Sequence, residues 1–426
     1  MKIMVVGGGG REHAIIKKLK EKKEITEIFA LPGNGDMAND ATLVNIGAKD
    51  IDAQVKFAVD NKIDYAVVAP DDPLVLGAVD ALSDAGIPCF GPDKKAAIIE
   101  GSKVFSKNLM KKYGIPTAEY EVFSDKESAL KYLETAPIPT VIKADGLALG
   151  KGVIIAETRI DAKNAVISMM EDKVFGESGS NIVIEEFLEG PEVSVLSFTD
   201  GKTVVPMVSS MDHKRALDGD KGLNTGGMGT VAPNPYYTKS IAKQCMETIF
   251  LPTVEAMNKE GRSFKGCLYF GLMITHKGPK VIEYNCRFGD PETQVVLPLL
   301  ESDLLTIMKS CTDGTLNKKQ VKFKNGAAAC IVMASKGYPS KYESGYELKI
   351  DESVEDKVYV AGAKLDDGVL KTAGGRVLGV IDTAPDLKTA LDKAYKNTKK
   401  VTFANSYMRN DIGAKAIREL ENSEVN

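Results

Sequence analysis

At 426 residues, with 43% hydrophobic and 27% charged side chains, the chain is long enough for about two to four ordinary folded domains. Its formal net charge of -4 argues against a broad basic face for nucleic acid or anionic membrane. Six dispersed cysteines without a Cys-x-x-Cys pair suggest neither structural zinc nor a redox pair, and no apolar run approaches the roughly 20 residues that cross a bilayer.

From residue 2 to about 101, short apolar runs alternate with helical periodicity. Strands are predicted over residues 3–6, 27–30, 65–69 and 88–90, and helices over 11–21, 51–61 and 74–85. This alternation predicts a doubly wound parallel sheet with helices on both faces, whose ligands sit at the carboxyl ends of the strands. The run Gly7-Gly8-Gly9-Gly10-Arg11-Glu12-His13 and the turn Pro32-Gly33-Asn34-Gly35 both fall at that edge. Helix N-terminal amides there suit a phosphate. The run lacks the third glycine of a dinucleotide fingerprint.

A second region, 102–187, holds strands at 140–143 and 152–156 joined by a loop with a lysine at either end, Lys143 and Lys151, and with Gly146, Gly150 and Gly152. Glycines let backbone amides approach phosphate oxygens, and lysines neutralise their charge. A further strand, 181–187, runs into Glu185, Glu186, Leu188, Glu189 and Glu192, a pattern that fits a hinge contacting a nucleoside or an exposed edge. The third region, 188–325, contains residues 212–229, with six charged side chains, a histidine and five glycines, which reads as a functional loop or a disordered insert.

The same region carries the run Val281 to Arg287. On a strand of period two, Glu283, Asn285 and Arg287 share one face while Ile282, Tyr284 and Cys286 face a core. A carboxylate and an amide oxygen are hard ligands for Mg²⁺, and a guanidinium grips a carboxylate. The last region, 326–426, reads as a small α+β module with strands at 327–334 and 376–381 and a helix at 387–398.

Taken together and in this order, these runs resemble the ATP-grasp ligases, and among them the phosphoribosylamine–glycine ligase (glycinamide ribonucleotide synthetase) family. The most specific are Gly-Gly-Arg-Glu-His-Ala at 9–14, Pro-Gly-Asn at 32–34, Lys-Ala-Asp-Gly-Leu-Ala at 143–148, the stretch 212–229, and Asn-Cys-Arg-Phe-Gly-Asp-Pro-Glu-Thr-Gln at 285–294. The resemblance covers essentially the whole chain. It implies an α/β and α+β multidomain architecture: an N-terminal phosphoribosylamine-binding domain (1–101), the small (102–187) and large (188–325) ATP-grasp subdomains, and a C-terminal domain (326–426).

It also implies an ATP-dependent carbon–nitrogen ligase of de novo purine synthesis. That enzyme joins glycine to 5-phosphoribosylamine through glycyl phosphate, giving glycinamide ribonucleotide, ADP and phosphate. Another ATP-grasp carboxylate–amine ligase, or a purine-pathway carboxylating enzyme, is the alternative. Carried over position by position, Lys103, Lys143 and the loop Gly150, Lys151 and Gly152 contact the ATP phosphates. Glu185, Glu186, Leu188 and Glu192 hold adenosine. Glu283 and Asn285 bind Mg²⁺ or Mn²⁺. Arg287, with Asp212, Lys214 and Lys143, forms the catalytic set, and Arg287, Asp212 and Lys214 orient glycine. Gly9, Gly10 and Asn34 cradle the phosphoribosyl group, and Asp71 meets its ribose hydroxyls.

Three positions depart from the family pattern. Gly8 stands where serine is frequent, Asp71 where glutamate is usual, and Leu223 where proline is usual. Gly271 lies where many ATP-grasp enzymes have a third, acidic metal ligand, so two protein ligands are expected. A cytoplasmic location is expected, with small-molecule partners, no nucleic acid or membrane, and a monomer left open.

Overall fold

The computed structural model describes residues 1–147 and 152–425. Lys2–Gly7 is the central strand of a five-stranded parallel sheet, flanked by Glu27–Pro32 with Thr42–Leu43 beyond it, and by Tyr65–Val68 with Cys89–Phe90 beyond. Strand alternation sends Ile3 and Val5 into one core with Ala14, Ile15 and Leu19. Met4 and Val6 enter a second core with Ala58, Leu74 and Leu82. Burial on both faces explains the unbroken apolar run.

The helix expected over 74–85 is two helices, Asp71–Leu76 and Ala78–Asp84. Gly77 separates them at φ +98°, a left-handed conformation that glycine adopts without a side-chain clash. Asp71 therefore opens a helix at the carboxyl edge of the sheet.

Residues 120–186 form a four-stranded antiparallel sheet in the order Tyr120–Phe123, Ile182–Glu186, Thr140–Ala144, Val153–Ala156, with its own core around Ile142, Val166 and Ile184. A second antiparallel sheet runs Val204–Pro206, Glu192–Asp200, Lys265–Thr275, Gly278–Asn285. The C-terminal sheet has six strands and spans the boundary at residue 326. Met211–Asp212 and Gly229–Ala232 join Ala327–Ser335, Arg376–Ala384, Val358–Val360 and Ser406–Tyr407. No helix among the described residues is long and apolar enough to cross a membrane.

Candidate active site

The strand Gly278–Asn285 carries the centre of the site. Its alternation is broken by a bulge: Gly271 pairs with Glu283 and Leu272 with Val281, leaving Ile282 unpaired. Ile282 is thus only partly buried rather than in the core expected for it, and its carbonyl accepts a hydrogen bond from Lys143 Nζ at 3.0 Å. Beyond the bulge the expected pattern resumes. Tyr284 and Cys286 are core, while Glu283, Asn285 and Arg287 lie on the opposite side.

The Glu283 carboxylate makes no hydrogen bond or ion pair to any described residue, yet four cations surround it. Burial pushes its pKa up, but Lys214, Lys143, Lys103 and Arg287 outweigh burial and hold the carboxyl below its usual range. Gly271 sits directly across the ladder, where a Cβ would stand 3.0 Å from Glu283 Cγ, so this position offers no further acidic ligand and leaves room for the Glu283 side chain. Asn285 is nearly buried, with Oδ1 accepting from Arg287 Nη2 at 3.1 Å. One anionic and one neutral oxygen donor side by side fit a hard divalent cation that completes its shell with phosphate and water. Among the described residues no cluster of three or more acidic, histidine or cysteine ligands exists.

Arg287 ties this strand to the N-terminal region. Nη2 donates to Glu100 Oε1 at 2.8 Å and lies 3.9 Å from Asp71 Oδ2, while Nε is buried without a partner. Burial disfavours its charge, but Glu100 and Asp71 keep the guanidinium firmly cationic. Burial likewise lifts Asp71, and Arg287 and Arg11 reverse the shift to a net lowering. Glu100 also accepts from the Cys286 amide at 2.7 Å.

The lysines approach from the other side. Ser102 caps the helix Lys103–Tyr113, and Asp145 Oδ1 accepts from Ser102 Oγ and the Val104 amide, fixing the loop after Lys143 against that helix. Lys103 Nζ donates to the Gly146 carbonyl at 3.0 Å, and burial lowers its pKa. Lys107, one helical turn on, lies 2.5 Å from Glu185 Oε2, and Lys143 pairs with the other oxygen of the same carboxylate. All three are at least 95% buried. Burial brings Lys107 down to about 8, and Glu185 is held low by Lys143 and Lys107 against burial. The Glu185 carboxylate, expected at adenosine, is thus engaged by two lysines.

Glu186 pairs with Lys280 at 3.1 Å, and Leu188 is buried close by in sequence. Glu192 pairs with Lys214 at 2.8 Å, joining a residue expected at the nucleoside to one expected at glycine. Burial and then Glu292 push the Asp212 carboxyl well above its usual range, despite Lys214 and Arg376. Residues 212–229 are ordered, with a hairpin of Arg215–Leu217 and Lys221–Asn224.

At the N-terminal end, two of the groups expected to cradle phosphoribose, the Gly9 amide and the Asn34 side chain, are occupied within the protein. The Gly9 amide donates to Glu12 Oε2 at 2.6 Å, and the Arg11 amide to Asp290 Oδ2 at 3.4 Å. A Cβ on Gly10 would come 2.6 Å from Gln294 Nε2. The buried Asn34 amide donates to the carbonyls of Gly8 and Val360, and its oxygen accepts from the amides of Asp36 and Met37. Asn34 therefore shapes the glycine loop and docks it on the C-terminal domain. Gly152 is buried, its carbonyl accepting from the Ala144 amide, whereas Gly150 and Lys151 lie outside the described residues.

Sequence reasoning missed Lys107, Glu100 and Arg376, and gave no role to Arg11 and Asp290 within the runs at 9–14 and 285–294. Lys107 carried a signal, sharing a helix face with Lys103 at i+4. Glu100 and Arg376 carried none, since each reaches the site from a distant stretch of chain.

The chain is similar to known proteins along most of its length. Family descriptions of phosphoribosylglycinamide synthetase match at 1–100 (N domain), 101–293 (ATP-grasp domain) and 328–415 (C domain). The phosphoribosylamine–glycine ligase of Caldanaerobacter subterraneus subsp. tengcongensis is 46% identical, covering 97% of this chain and 100% of its own. The crystal structure of the phosphoribosylamine–glycine ligase of Thermotoga maritima superposes with a TM-score of 0.84 at 33% identity, covering 97% of this chain and 100% of that one. The biotin carboxylase of Campylobacter jejuni, at a TM-score of 0.75 and 14% identity over 96% of this chain and 92% of that one, shares the fold. The chain belongs to the phosphoribosylglycinamide synthetase family, the phosphoribosylamine–glycine ligases.

Proposed function

We propose that this ATP-dependent ligase joins glycine to 5-phosphoribosylamine through glycyl phosphate, with Glu283, Asn285, Lys103, Lys143, Arg287, Asp212 and Lys214 as its working groups. The observation that carries the assignment is the Glu283 carboxylate, which has no direct partner among the described residues, is held low by four neighbouring cations and lies two residues from Asn285 on the same strand. Glu283 and Asn285 would hold the divalent cation, which supplies charge neutralisation at the phosphate oxygens when bound.

Lys103 and Lys143 balance the triphosphate, and Gly152 borders it. Glu185 serves by fixing Lys143 between itself and the Ile282 carbonyl. The backbone at Glu186 and Leu188, with Glu192, borders the nucleoside. Arg287 receives the glycine carboxylate, and Asp212 its ammonium. The glycine carboxylate oxygen attacks the γ-phosphorus, the bond to the β-bridging oxygen breaks, and ADP leaves. The neutral amine of phosphoribosylamine then attacks the acyl carbon. A C–N bond forms, the acyl C–O bond breaks, phosphate departs and the nitrogen gives up a proton. Such a route needs positioning and charge rather than a protein nucleophile. Gly9, Gly10 and Asp71 border the phosphoribosyl group, and Asn34 holds the loop that does so.

Glu283→Gln tests this. It keeps the shape of the side chain and removes the charge, so glycine-dependent ADP formation falls by about 100-fold or more while the melting profile is retained. Unchanged turnover would remove Glu283 from the assignment.

A further inference from the structure

Residues 212–229 carry Asp212 and Lys214, yet they contain too few apolar side chains to set their own conformation. Both ends are strands of the C-terminal sheet, and the hairpin between them exposes Leu217 and Leu223. Its shape is imposed from beyond residue 326. Arg409, 1% exposed, is the hub. Its Nε and Nη2 grip the two Asp411 oxygens at 2.8 Å each, Nη1 donates to the Arg215 carbonyl at 3.0 Å, and Nη2 reaches Asp220 Oδ1 at 3.0 Å. Asp411 Oδ2 accepts the Gly219 amide at 2.8 Å, and Tyr407 donates to the Ala216 carbonyl at 2.8 Å. His213 Nε2 accepts the Gly413 amide at 3.0 Å, directly between Asp212 and Lys214. The far end is held by Tyr338, which accepts the Gly226 amide, and by Arg376, which donates to the Gly226 carbonyl at 2.7 Å.

We propose that Arg409, acting with Asp411 through the 215–224 hairpin, is a positioning residue that sets Asp212 and Lys214 for the amino acid substrate. A planar guanidinium that bridges a bidentate carboxylate, a backbone carbonyl and a second carboxylate fixes orientation as a lysine ammonium cannot. The C-terminal domain thereby contributes to recognition of glycine without touching it. This rests on the assignment of Asp212 and Lys214 to glycine in the proposed function, and the test separates the two.

The variants are Arg409→Gln, Arg409→Lys and the milder Tyr407→Phe, with Asp212→Asn as a reference. In each full-length protein three quantities are measured: KM for glycine and for ATP, kcat, and the rate of tryptic cleavage at Arg215 and Lys221 under native conditions. Arg409→Gln is expected to raise KM for glycine about tenfold, to leave KM for ATP within about twofold, and to speed hairpin cleavage about tenfold. Arg409→Lys should restore part of each effect, and Tyr407→Phe should move both readouts in the same direction by less. If Arg409→Gln fails to fold, Tyr407→Phe carries the test alone. Unchanged cleavage, or equal rises in KM for glycine and ATP, overturns the proposal. Faster cleavage with no change in glycine KM also overturns it when Asp212→Asn raises that KM. Should Asp212→Asn itself leave glycine KM unchanged, the glycine assignment fails, and faster cleavage then shows the clamp alone.

Discussion

At the scale of residues, the site is governed by how buried charges are paired. Glu185 is the clearest case, since both its oxygens meet lysines and all three groups are almost fully enclosed. Removing one member of such a set leaves an uncompensated charge in a poor solvent. Glu185→Gln should therefore destabilise the protein by about 3 kcal/mol or more, read from urea unfolding, and should lower turnover because Lys143 loses its anchor. Stability within about 0.5 kcal/mol of the parent would mean that the lysines find other partners.

The two buried histidines give a second test. His213 donates from Nδ1 to the Gly229 carbonyl and accepts at Nε2, and burial, reinforced by Arg409, lowers its pKa to about 4. His13 accepts from the Val360 amide and faces Asp40, and burial lowers its pKa too. The unfolded value is about 6.5, so between roughly pH 6.5 and 4 the unfolded chain binds more protons than the folded one. Stability should be fully present above that window, fall as the pH drops through it, and level off for His213 below it. The urea midpoint should therefore be lower near pH 5 than near pH 7.5, and His213→Gln should flatten the dependence. Parallel curves for parent and variant would contradict it.

At the scale of elements, the bulge at Ile282 shows what period-two reading can and cannot supply. Alternation correctly placed Glu283, Asn285 and Arg287 together, because Tyr284 and Cys286 must face the core. It misplaced Ile282, because a bulge is set by pairing with the neighbouring strand, which leaves no local mark. The predicted helix over 74–85 failed at Gly77 for a related reason: its apolar spacing continues, but the left-handed glycine breaks the axis. The ladder position opposite Glu283 gives a prediction at this scale. Gly271→Ala would set a methyl 3.0 Å from Glu283 Cγ without backbone strain. Turnover should fall about tenfold or more while the cooperative melt is kept, since displacing Glu283 spoils geometry rather than folding. Activity equal to the parent would show that Glu283 tolerates the shift.

For the whole molecule, the legible and the hidden divide by distance along the chain. The parallel sheet, the antiparallel pairs and the helix Leu387–Thr398 follow from patterns within windows of ten or so residues. Hidden were the contacts that close the site from afar: Glu100 on Arg287, Asn34 on Val360, Arg376 on Gly226, and Arg409 on the hairpin. These are single polar side chains spanning domains, with no periodicity to betray them. The last two also hold residues 212–229, whose composition suits disorder, against the C-terminal sheet, which takes two of its strands from before residue 326. A site assembled this way depends on all the domains at once.

The central claim is that this centre couples ATP cleavage to amide formation. The most direct measurement incubates the protein with ATP, Mg²⁺, glycine carrying a heavy isotope and freshly generated phosphoribosylamine, and follows ADP and the labelled amide together by mass. The predicted result is one labelled glycinamide ribonucleotide per ADP, with neither formed when glycine is withheld. ADP released without labelled amide, or at the same rate without glycine, would contradict it.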